Sequence, residues 1–149
     1  MKAVIALGAN LGDPRKQVSI AIDEIRDIAK VNAVSSLHET KPFAVPDNQP
    51  NYINAVLVAE SDHKPFDLMR ALLGVEEKLG RIRLFQNAAR VIDIDLIDFG
   101  GLFMESEHLT LPHPRAHERR FVLEPWFEID PGGILAGKGP IKELLAALP

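Results

Sequence analysis

The chain has 149 residues, 46% of them hydrophobic, a size that suits one compact domain with a buried core. It contains no cysteine, which excludes disulfides, thiolate chemistry and the usual sulfur ligands of zinc, so an essential metal is expected to be Mg²⁺. A net charge of −4 gives no electrostatic reason to expect nucleic acid or an anionic membrane, and no apolar run is long enough for a membrane span. We therefore expect a single domain over residues 1–149, located in the cytoplasm.

The first strand and the first helix are separated by a short glycine-containing loop. Residues 2–7 form an apolar run of strand length, and the glycines in 8–12 permit positive φ angles in the loop that follows. Asp13 is a good N-cap with Pro14 at position N1, so we predict that a helix begins there. Its apolar positions recur at helical spacing on one face and comprise Val18, Ala21, Ile22, Ile25, Ile28 and Ala29.

Two further strands are predicted on either side of a proline-rich loop. Residues 31–38 have the length of a second strand, and residues 52–60, rich in β-branched and aromatic side chains, are predicted as the third. The loop between them, 39–50, carries three prolines and is long for a simple hairpin. Because binding residues are concentrated on such loops, it is a candidate binding loop.

The second half of the chain completes a βαββαβ order of elements. Pro65 opens a second helix, and residues 91–99 are predicted as a fourth strand. The apolar face of that helix comprises Phe66, Met69, Leu72, Leu73, Val75 and Leu79. This order predicts an α+β fold with a ferredoxin-like core, a mainly antiparallel sheet with helices packed on one face. A proline-flanked segment at 109–114 and helices at 115–127 and 141–148 are predicted as C-terminal additions.

The fourth strand carries two carboxylates on one face. Asp93 and Asp95 are two residues apart, so both project to the same side, while Ile92, Ile94 and Leu96 project to the other. Two like charges so close repel each other, and the arrangement becomes favourable when divalent cations bind between them. Asp98 has the opposite parity and is not expected to join the pair. Taken alone, an Asp-x-Asp pattern is also what a solvated strand face presents.

Arginine replaces lysine in the part of the chain around this strand. Between residues 79 and 137 the basic residues are Arg81, Arg83, Arg90, Arg115, Arg119 and Arg120. The guanidinium fork matches phosphate oxygens, although surface arginines also pair with nearby carboxylates. Three of these arginines precede the acidic strand directly, and arginine next to a Mg²⁺-binding carboxylate pair favours a nucleoside triphosphate. The sequence lacks the P-loop and protein-kinase motifs, so any phosphoryl chemistry must use another scaffold.

Other residues are suited to a phosphate group and to a planar acceptor. His113 lies in a proline-bracketed turn beside arginines, where an imidazole either donates a hydrogen bond to a phosphate or serves only in packing. Apolar faces and an amide for a planar heterocycle are supplied by Phe43, Tyr52, Asn54 and Phe121, each of which is also a candidate for core packing. Tyr52 and Asn54 share strand parity and so face the same side of the sheet.

Five motifs in this order resemble the 6-hydroxymethyl-7,8-dihydropterin pyrophosphokinase family over almost the entire chain. They are ALGANLGD at 6–13, QPNYINA at 49–55, GRIR at 80–83, RVIDIDL at 90–96 and LPHP at 111–114. The resemblance implies a ferredoxin-like fold and an enzyme of folate biosynthesis. In the implied reaction, ATP and 6-hydroxymethyl-7,8-dihydropterin give AMP and the pterin diphosphate, with the pterin hydroxyl attacking the β-phosphorus.

The resemblance also implies roles for individual residues. Asp93 and Asp95 would hold two Mg²⁺ ions, and Arg81 and Arg90 would act with them in catalysis. The implied ATP-binding residues are Glu76, Arg81, Arg83, Arg90, Leu96, Thr110, His113 and Arg119. The implied pterin-binding residues are Thr40, Phe43, Tyr52, Asn54, Asp95 and Phe121. The expected partners are thus ATP and the pterin, with no nucleic acid or membrane, and the protein is expected to be a monomer.

The chain departs from the family pattern mainly in the loop before Arg90. The family usually has a positively charged residue, an aromatic residue and Gly-Pro there, whereas this chain has QNAA at 86–89 and Leu84 where a basic residue is frequent. Lys41 and His108 replace a common proline and a common arginine. A loop altered over 84–89 predicts poorer closure over the site and slower turnover. The alternatives are a weakly active or non-catalytic pterin- or nucleotide-binding member, and a structural or regulatory ferredoxin-like module.

Overall fold

The computed structural model describes residues 1–41, 50–80 and 92–149 and contains a central antiparallel sheet. The elements of the βαββαβ core are β1 (Lys2–Ala9), α1 (Pro14–Arg26), β2 (Lys30–Val34), β3 (His38–Thr40), β4 (Tyr52–Glu60), α2 (Pro65–Gly80) and β5 (Asp93–Phe99). The sheet order is β2-β4-β1-β5, with β3 pairing along β4, and every pair is antiparallel. This is the predicted ferredoxin-like arrangement, in which the first and last core strands lie side by side.

The two faces of the sheet belong to two apolar clusters. On the first face Ile5 and Leu7 of β1 pack in one cluster with Ile25 of α1 and Leu72 of α2. On the second face Val4, Ala6 and Val56 belong to a cluster with Val122, Leu123 and Trp126. Because alternate residues of β1 point to opposite sides, one strand contributes to both clusters. None of the helices in the described part of the chain is long and apolar enough to cross a membrane.

Further elements follow the ferredoxin-like core along the chain. They are β6 (Met104–Glu105), β7 (Thr110–Leu111), a 3₁₀ turn (Ala116–Glu118), α3 (Arg120–Ile129), β8 (Ile134–Leu135), β9 (Gly139–Pro140) and α4 (Ile141–Ala146). Helix α4 is therefore two residues shorter than the predicted helix at 141–148. The segment at 109–114 places Leu109 and Leu111 in the first apolar cluster, with α1 and α2. The 3₁₀ turn, α3, β8 and α4 contribute to the second cluster and form a layer on that face.

The predicted helix over 115–127 is interrupted at Arg119. Its backbone is extended there (φ −109°, ψ 103°), so a 3₁₀ turn ends and α3 begins on either side of this residue. The carbonyl of Arg119 accepts hydrogen bonds from the amides of Val122 and Leu123, which starts α3. A continuous helical pattern in the sequence therefore does not reveal the break at Arg119.

The predicted second strand is also interrupted, at Ser35. The Ser35 side-chain oxygen accepts a hydrogen bond from the Val56 amide at 3.0 Å, in place of a backbone ladder bond. As a result β2 and β3 are two short strands along the same edge of β4. By contrast, α1 begins as predicted, with the Asp13 carboxylate accepting from the Lys16 amide at 3.3 Å.

Helix α2 is rotated slightly from its predicted orientation. Phe66 and Leu73, predicted on the buried face, are 37% and 41% exposed, whereas Leu68 and Glu76 are buried. The buried stripe is Leu68, Leu72, Val75, Glu76 and Leu79. A buried glutamate is rare without partners, and Glu76 accepts a hydrogen bond from the Ile94 amide.

Replacing Gly74 with alanine is expected to stabilise the protein. Gly74 is exposed within α2, and a Cβ there meets open space. Alanine loses less conformational freedom than glycine in a helix, so the free energy of unfolding should rise by about 0.5–1 kcal/mol. Thermal unfolding measures this change. The same substitution at Gly133 places a Cβ 2.8 Å from the Trp126 ring nitrogen and should destabilise; a lower melting temperature for both variants contradicts the prediction.

Candidate active site

A cavity of about 280 Å³ lies where four strand ends meet the beginning of α3. The carboxyl ends of β1 and β3 and the amino ends of β4 and β5 reach the same end of the antiparallel sheet. The described residues that line the cavity are Ala6, Leu7, Gly8, Thr40, Lys41, Tyr52, Asn54, Asp93, Asp95, Arg119, Phe121 and Val122. Six predicted pterin- or ATP-binding positions and both predicted metal ligands are among them.

Asp93 and Asp95 both line the cavity, as their spacing predicts. The adjacent Ile92, Ile94 and Leu96 are buried in the opposite cluster, against α1 and α2. Across the sheet Asp93 pairs with Gly8 and Asp95 with Ala6, so small residues leave space in front of the two carboxylates. Asp93 is exposed and Asp95 is half-buried, and both aspartates take part in further interactions within the protein.

Asp98 stays out of this pair, but the parity argument does not account for its position. The register between β1 and β5 shifts between Val4 and Ile5, and after the shift Asp98 pairs with Val4 of the second face. Its carboxylate accepts hydrogen bonds from the amides of Gly101 and Ala136 at 2.9 and 3.2 Å. Asp98 is thus a buried residue that holds two chain segments, away from the cavity lining.

One wall of the cavity is built by Asn54, Thr40 and Tyr52. Asn54 is buried and donates a hydrogen bond from its amide nitrogen to the Thr40 hydroxyl at 2.7 Å. Thr40 pairs with Tyr52 between β3 and β4, and Asn54 pairs with Gly8 between β4 and β1. A Cβ at Gly8 would lie 3.0 Å from the Asn54 side-chain oxygen, so glycine is what allows this close approach.

The opposite wall is the beginning of α3. The Arg119 guanidinium carbon lies 5.5 Å from the centre of the Phe121 ring, a cation–π distance, and both side chains line the cavity. Arg119 occupies the N-cap position of α3, where unpaired backbone amides and the helix dipole favour anions. A positive charge, an aromatic face and a helix N-terminus therefore face the two carboxylates.

His113 stands close enough to these groups to interact electrostatically with them. Burial lowers the pKa of the His113 imidazole most, Arg119 and Arg115 lower it further, and Asp95 opposes them. The imidazole is therefore neutral at pH 7. Its Nδ1 accepts a hydrogen bond from the Arg115 amide at 3.2 Å, which leaves the proton on Nε2. Nε2 is thus the atom available to donate to a ligand.

Glu76, Leu96 and Thr110, the other predicted ATP-binding positions in the described part of the chain, do not line the cavity. The Glu76 carboxylate accepts from the Ile94 amide, Leu96 is a buried core residue, and Thr110 belongs to β7, just before the cis Leu111–Pro112 bond. Phe43, Arg81, Arg83 and Arg90, together with the altered loop at 84–89, lie outside the described residues. Their predicted roles are based on the sequence alone.

Sequence reasoning missed five cavity residues of different kinds: Ala6, Leu7, Gly8, Lys41 and Val122. Ala6 and Gly8 lie in the glycine motif at 6–13, and their small side chains opposite two aspartates are the signal that would have identified them. Lys41 and Val122 have no distinguishing pattern in the sequence. Lys41 adds a cation to the cavity edge next to Thr40.

The donor set of the cavity fits Mg²⁺. Within residues 1–41, 50–80 and 92–149 no group of three or more His, Asp or Glu side chains is arranged to hold a metal ion by itself. Mg²⁺ typically binds through one or two carboxylates and completes its octahedron with water and substrate phosphates. The same-face pair Asp93 and Asp95 provides such ligands, and the arginine and histidine nearby are suited to the phosphates.

The chain is similar to known proteins over nearly its whole length. The family model described as 7,8-dihydro-6-hydroxymethylpterin-pyrophosphokinase matches residues 4–131. A 2-amino-4-hydroxy-6-hydroxymethyldihydropteridine pyrophosphokinase from Haemophilus influenzae is 37% identical over 145 residues, covering 96% of this chain and 90% of the relative. The enzyme of the same name from Pseudomonas aeruginosa is 33% identical over 150 residues, covering 99% and 92%.

Solved structures agree on the fold. A Plasmodium falciparum HPPK-DHPS triple mutant aligns with a TM-score of 0.76 at 13% identity, over 97% of this chain. This chain spans 42% of that longer protein, so the alignment concerns one part of it. At this identity the likeness supports the fold alone. With the family model and the relatives of matching length, however, the conclusion is direct: the chain belongs to the 7,8-dihydro-6-hydroxymethylpterin-pyrophosphokinase family, the pyrophosphokinases of folate biosynthesis.

Proposed function

We propose that this protein catalyses Mg²⁺-dependent transfer of diphosphate from ATP to the hydroxymethyl group of 6-hydroxymethyl-7,8-dihydropterin. The observation that carries the proposal is the cavity in which Asp93 and Asp95 lie opposite small residues and beside an asparagine, a tyrosine and a phenylalanine. Such a cavity places phosphate-type and heterocycle-type binding groups side by side. The family assignment supports pyrophosphoryl transfer as the reaction that uses both.

The pterin is proposed to lie between Tyr52 and Phe121. Asn54 and Thr40 supply amide and hydroxyl groups that match ring nitrogens and the ring carbonyl, and their mutual hydrogen bond fixes the orientation of the Asn54 amide. Phe121 is 38% exposed and carries Arg119 near one face, so its other face is available to an aromatic ligand. Phe43 is proposed to add a further aromatic contact, on the evidence of the sequence.

The triphosphate is proposed to bind along the carboxylate side. Arg119 and the Nε2–H group of His113 would donate to phosphate oxygens, and the sequence adds Arg81, Arg83 and Arg90, with Arg81 and Arg90 in catalysis. Glu76, Leu96 and Thr110 would act near the nucleotide. Asp93 and Asp95 would hold two Mg²⁺ ions, which when bound offset the charge of the triphosphate.

The residues contribute mainly by positioning and charge compensation. The pterin hydroxyl oxygen forms a bond to the β-phosphorus of ATP as the bond from that phosphorus to the α-phosphate oxygen breaks. AMP leaves with that oxygen, and the hydroxyl proton is released. Arg119 and His113 would lie beside the negatively charged triphosphate, and donors fixed before the reaction stabilise a transition state without reorganising. No covalent intermediate with the protein is required.

The test is the release of AMP from ATP in the presence of Mg²⁺, with and without 6-hydroxymethyl-7,8-dihydropterin. Pterin-dependent AMP that disappears when Mg²⁺ is chelated supports the proposal. Tight binding of both ligands without AMP release would instead make this a binding protein, as the altered loop at 84–89 allows. The rate itself tests the expectation from the sequence that the changes at 84–89 slow turnover.

We also propose that residues 1–149 act as one domain and as a monomer in the cytoplasm. The described cavity residues come from both halves of a single chain, so the site needs no second copy. The two apolar clusters share the same sheet, which supports one cooperative unit. ATP, the proposed co-substrate, is abundant in the cytoplasm. Light scattering coupled to size-exclusion chromatography measures the mass in solution, and a dimer would contradict the monomer.

Replacing Gly8 with alanine is expected to weaken pterin binding selectively. The added Cβ would meet the Asn54 oxygen at 3.0 Å and displace an amide that is already bonded to Thr40. Losing one well-aligned hydrogen bond should raise the KM for the pterin about tenfold and leave the KM for ATP nearly unchanged. Steady-state kinetics measure both constants. Gly74→Ala, the same change at an open site, is the matched control, and equal pterin KM values in both variants would contradict the prediction.

A further inference from the structure

Glu128, near the end of α3, joins this helix to the segment that contains β3. One carboxylate oxygen accepts from the Ser36 amide at 2.9 Å, and the other accepts from the Ser36 hydroxyl at 2.9 Å. The second oxygen also lies 2.7 Å from Nε2 of His38. These contacts connect positions about 90 residues apart in the chain, and none of the three residues lines the cavity.

The Glu128 contacts are strong ones for a surface cluster. The hydrogen bond from His38 and the amide of Ser36 lower the pKa of the Glu128 carboxyl, so the carboxylate is ionised at neutral pH. Hydrogen bonds to an ionised group are shorter and stronger than those between neutral groups. Glu128 therefore links α3 to the residues that lead into β3 through several hydrogen bonds.

The two connected segments are the two walls of the cavity. Segment 36–38 leads directly into β3, which brings Thr40 to the cavity. Helix α3 begins next to Arg119 and Phe121, which form the facing wall. His38, which contacts Glu128, is also the cross-strand neighbour of the buried Asn54.

Among the described residues, other contacts hold each wall to the sheet. Strand β3 is three residues long and pairs only with β4 among the described strands. Helix α3 is held by Val122, Leu123 and Trp126 in the second apolar cluster. A short edge strand and a helix anchored by nondirectional apolar contacts can shift relative to each other, and the directional bonds of Glu128 oppose that shift.

We propose that Glu128 is a positioning residue that fixes the β3 wall against α3 and thereby sets the affinity of the cavity for the pterin ring. The inference rests on the proposed function, since it assumes that the pterin lies between these walls. The proposed metal ligands lie on β5, whereas the hydrogen-bond partners of Glu128 lie in the segment that contains β3. A change at Glu128 is therefore expected to act on pterin binding and to leave the rate at saturation unaltered.

The test compares Glu128→Gln with Glu124→Gln. Glutamine keeps the size of the side chain but loses the charge and places an amide nitrogen where a second acceptor is needed. The pterin KM is expected to rise about fivefold to tenfold, with kcat within a factor of two and the KM for ATP unchanged. Glu124 lies one turn earlier on α3, pairs with Arg120 at 3.5 Å and should leave all three constants unchanged.

Two further measurements separate the possible causes. Equilibrium binding of the pterin, followed by its own fluorescence, should weaken by the same factor in Glu128→Gln. Ser36→Ala removes only the hydroxyl donor and should give a smaller increase in KM, which keeps the proposal testable if the glutamine variant folds poorly. An unchanged pterin KM and binding constant in Glu128→Gln, or a lower kcat with an unchanged KM, overturns the positioning role. Absence of pterin-dependent AMP from the unaltered protein would overturn the proposed function instead.

Discussion

Replacing Asp95 with asparagine is expected to lower kcat for pterin-dependent AMP release by about a thousandfold or more while the protein remains folded. Asparagine has the same size and shape, but it lacks the negative charge that holds a hard cation. Asp95 is half-buried in β5 opposite Ala6, so a substitution of equal size meets no steric obstacle. Removing one of two neighbouring like charges also relieves repulsion, which argues against a loss of stability as the cause.

The matched control is Asp98→Asn on the same strand. Asp98 is buried and accepts from two backbone amides, so this variant should lose stability by about 1–3 kcal/mol while keeping most of its kcat. Measuring AMP release across a range of Mg²⁺ concentrations, together with thermal unfolding, separates the two effects. If Asp95→Asn retains more than about a tenth of the unaltered kcat at saturating Mg²⁺, the metal assignment is wrong.

Replacing Arg119 with alanine is expected to lower kcat/KM for ATP by about a hundredfold to a thousandfold. The variant loses a guanidinium that lines the cavity and leaves the start of α3 with less positive charge. It also removes the cation from one face of the Phe121 ring. The pterin KM is therefore expected to rise as well, by a smaller factor than the fall in kcat/KM for ATP. Arg119→Lys keeps the charge but not the planar fork and should recover only part of the loss.

The neighbouring Arg120 provides the control for this prediction. Arg120 is exposed, pairs with Glu124 at 3.5 Å and does not line the cavity. Arg120→Ala removes the same charge one residue further along and should leave kcat/KM for ATP within about a factor of three, since exposed pairs contribute little. Steady-state kinetics with ATP as the varied substrate compare the two variants. Equal effects at both positions would mean that net charge, and not the position of Arg119, is what matters.

Local patterns in the sequence predicted most of the fold. The N-cap and helical spacing from Asp13 onward placed α1, and the β-branched run at 52–60 matched β4. The alternation in β5 correctly put Asp93 and Asp95 together on one face. These predictions succeed because helix caps and strand alternation depend on neighbouring residues, whose periodicity can be read directly. The βαββαβ order then left few ways to arrange the sheet.

Only part of the candidate site was predicted, and its prediction relied on residue types and the family resemblance more than on periodicity. Tyr52, Asn54, Arg119 and Phe121 were candidates from their residue types, the family resemblance added Thr40 and assigned each a ligand, and all five line the cavity. Their roles remain predictions. The small residues Ala6 and Gly8 were missed because they matter through the space that they leave in front of Asp95 and Asp93. That space depends on which strand pairs with β1. Phe43, Arg81, Arg83 and Arg90 stay predictions from sequence.

Two features were determined by the amino-acid sequence by itself: the family and the same-face carboxylate pair. Both are contained in short motifs whose residues act on their neighbours in the chain. Tertiary structure alone decided the break at Arg119, the shift of register before Asp98 and the contact of Glu128 with Ser36 and His38. Each of these depends on contacts between residues distant in sequence, where packing and hydrogen bonding override local preference. No periodicity along the chain records such contacts, because they form only when the sheet and α3 come together.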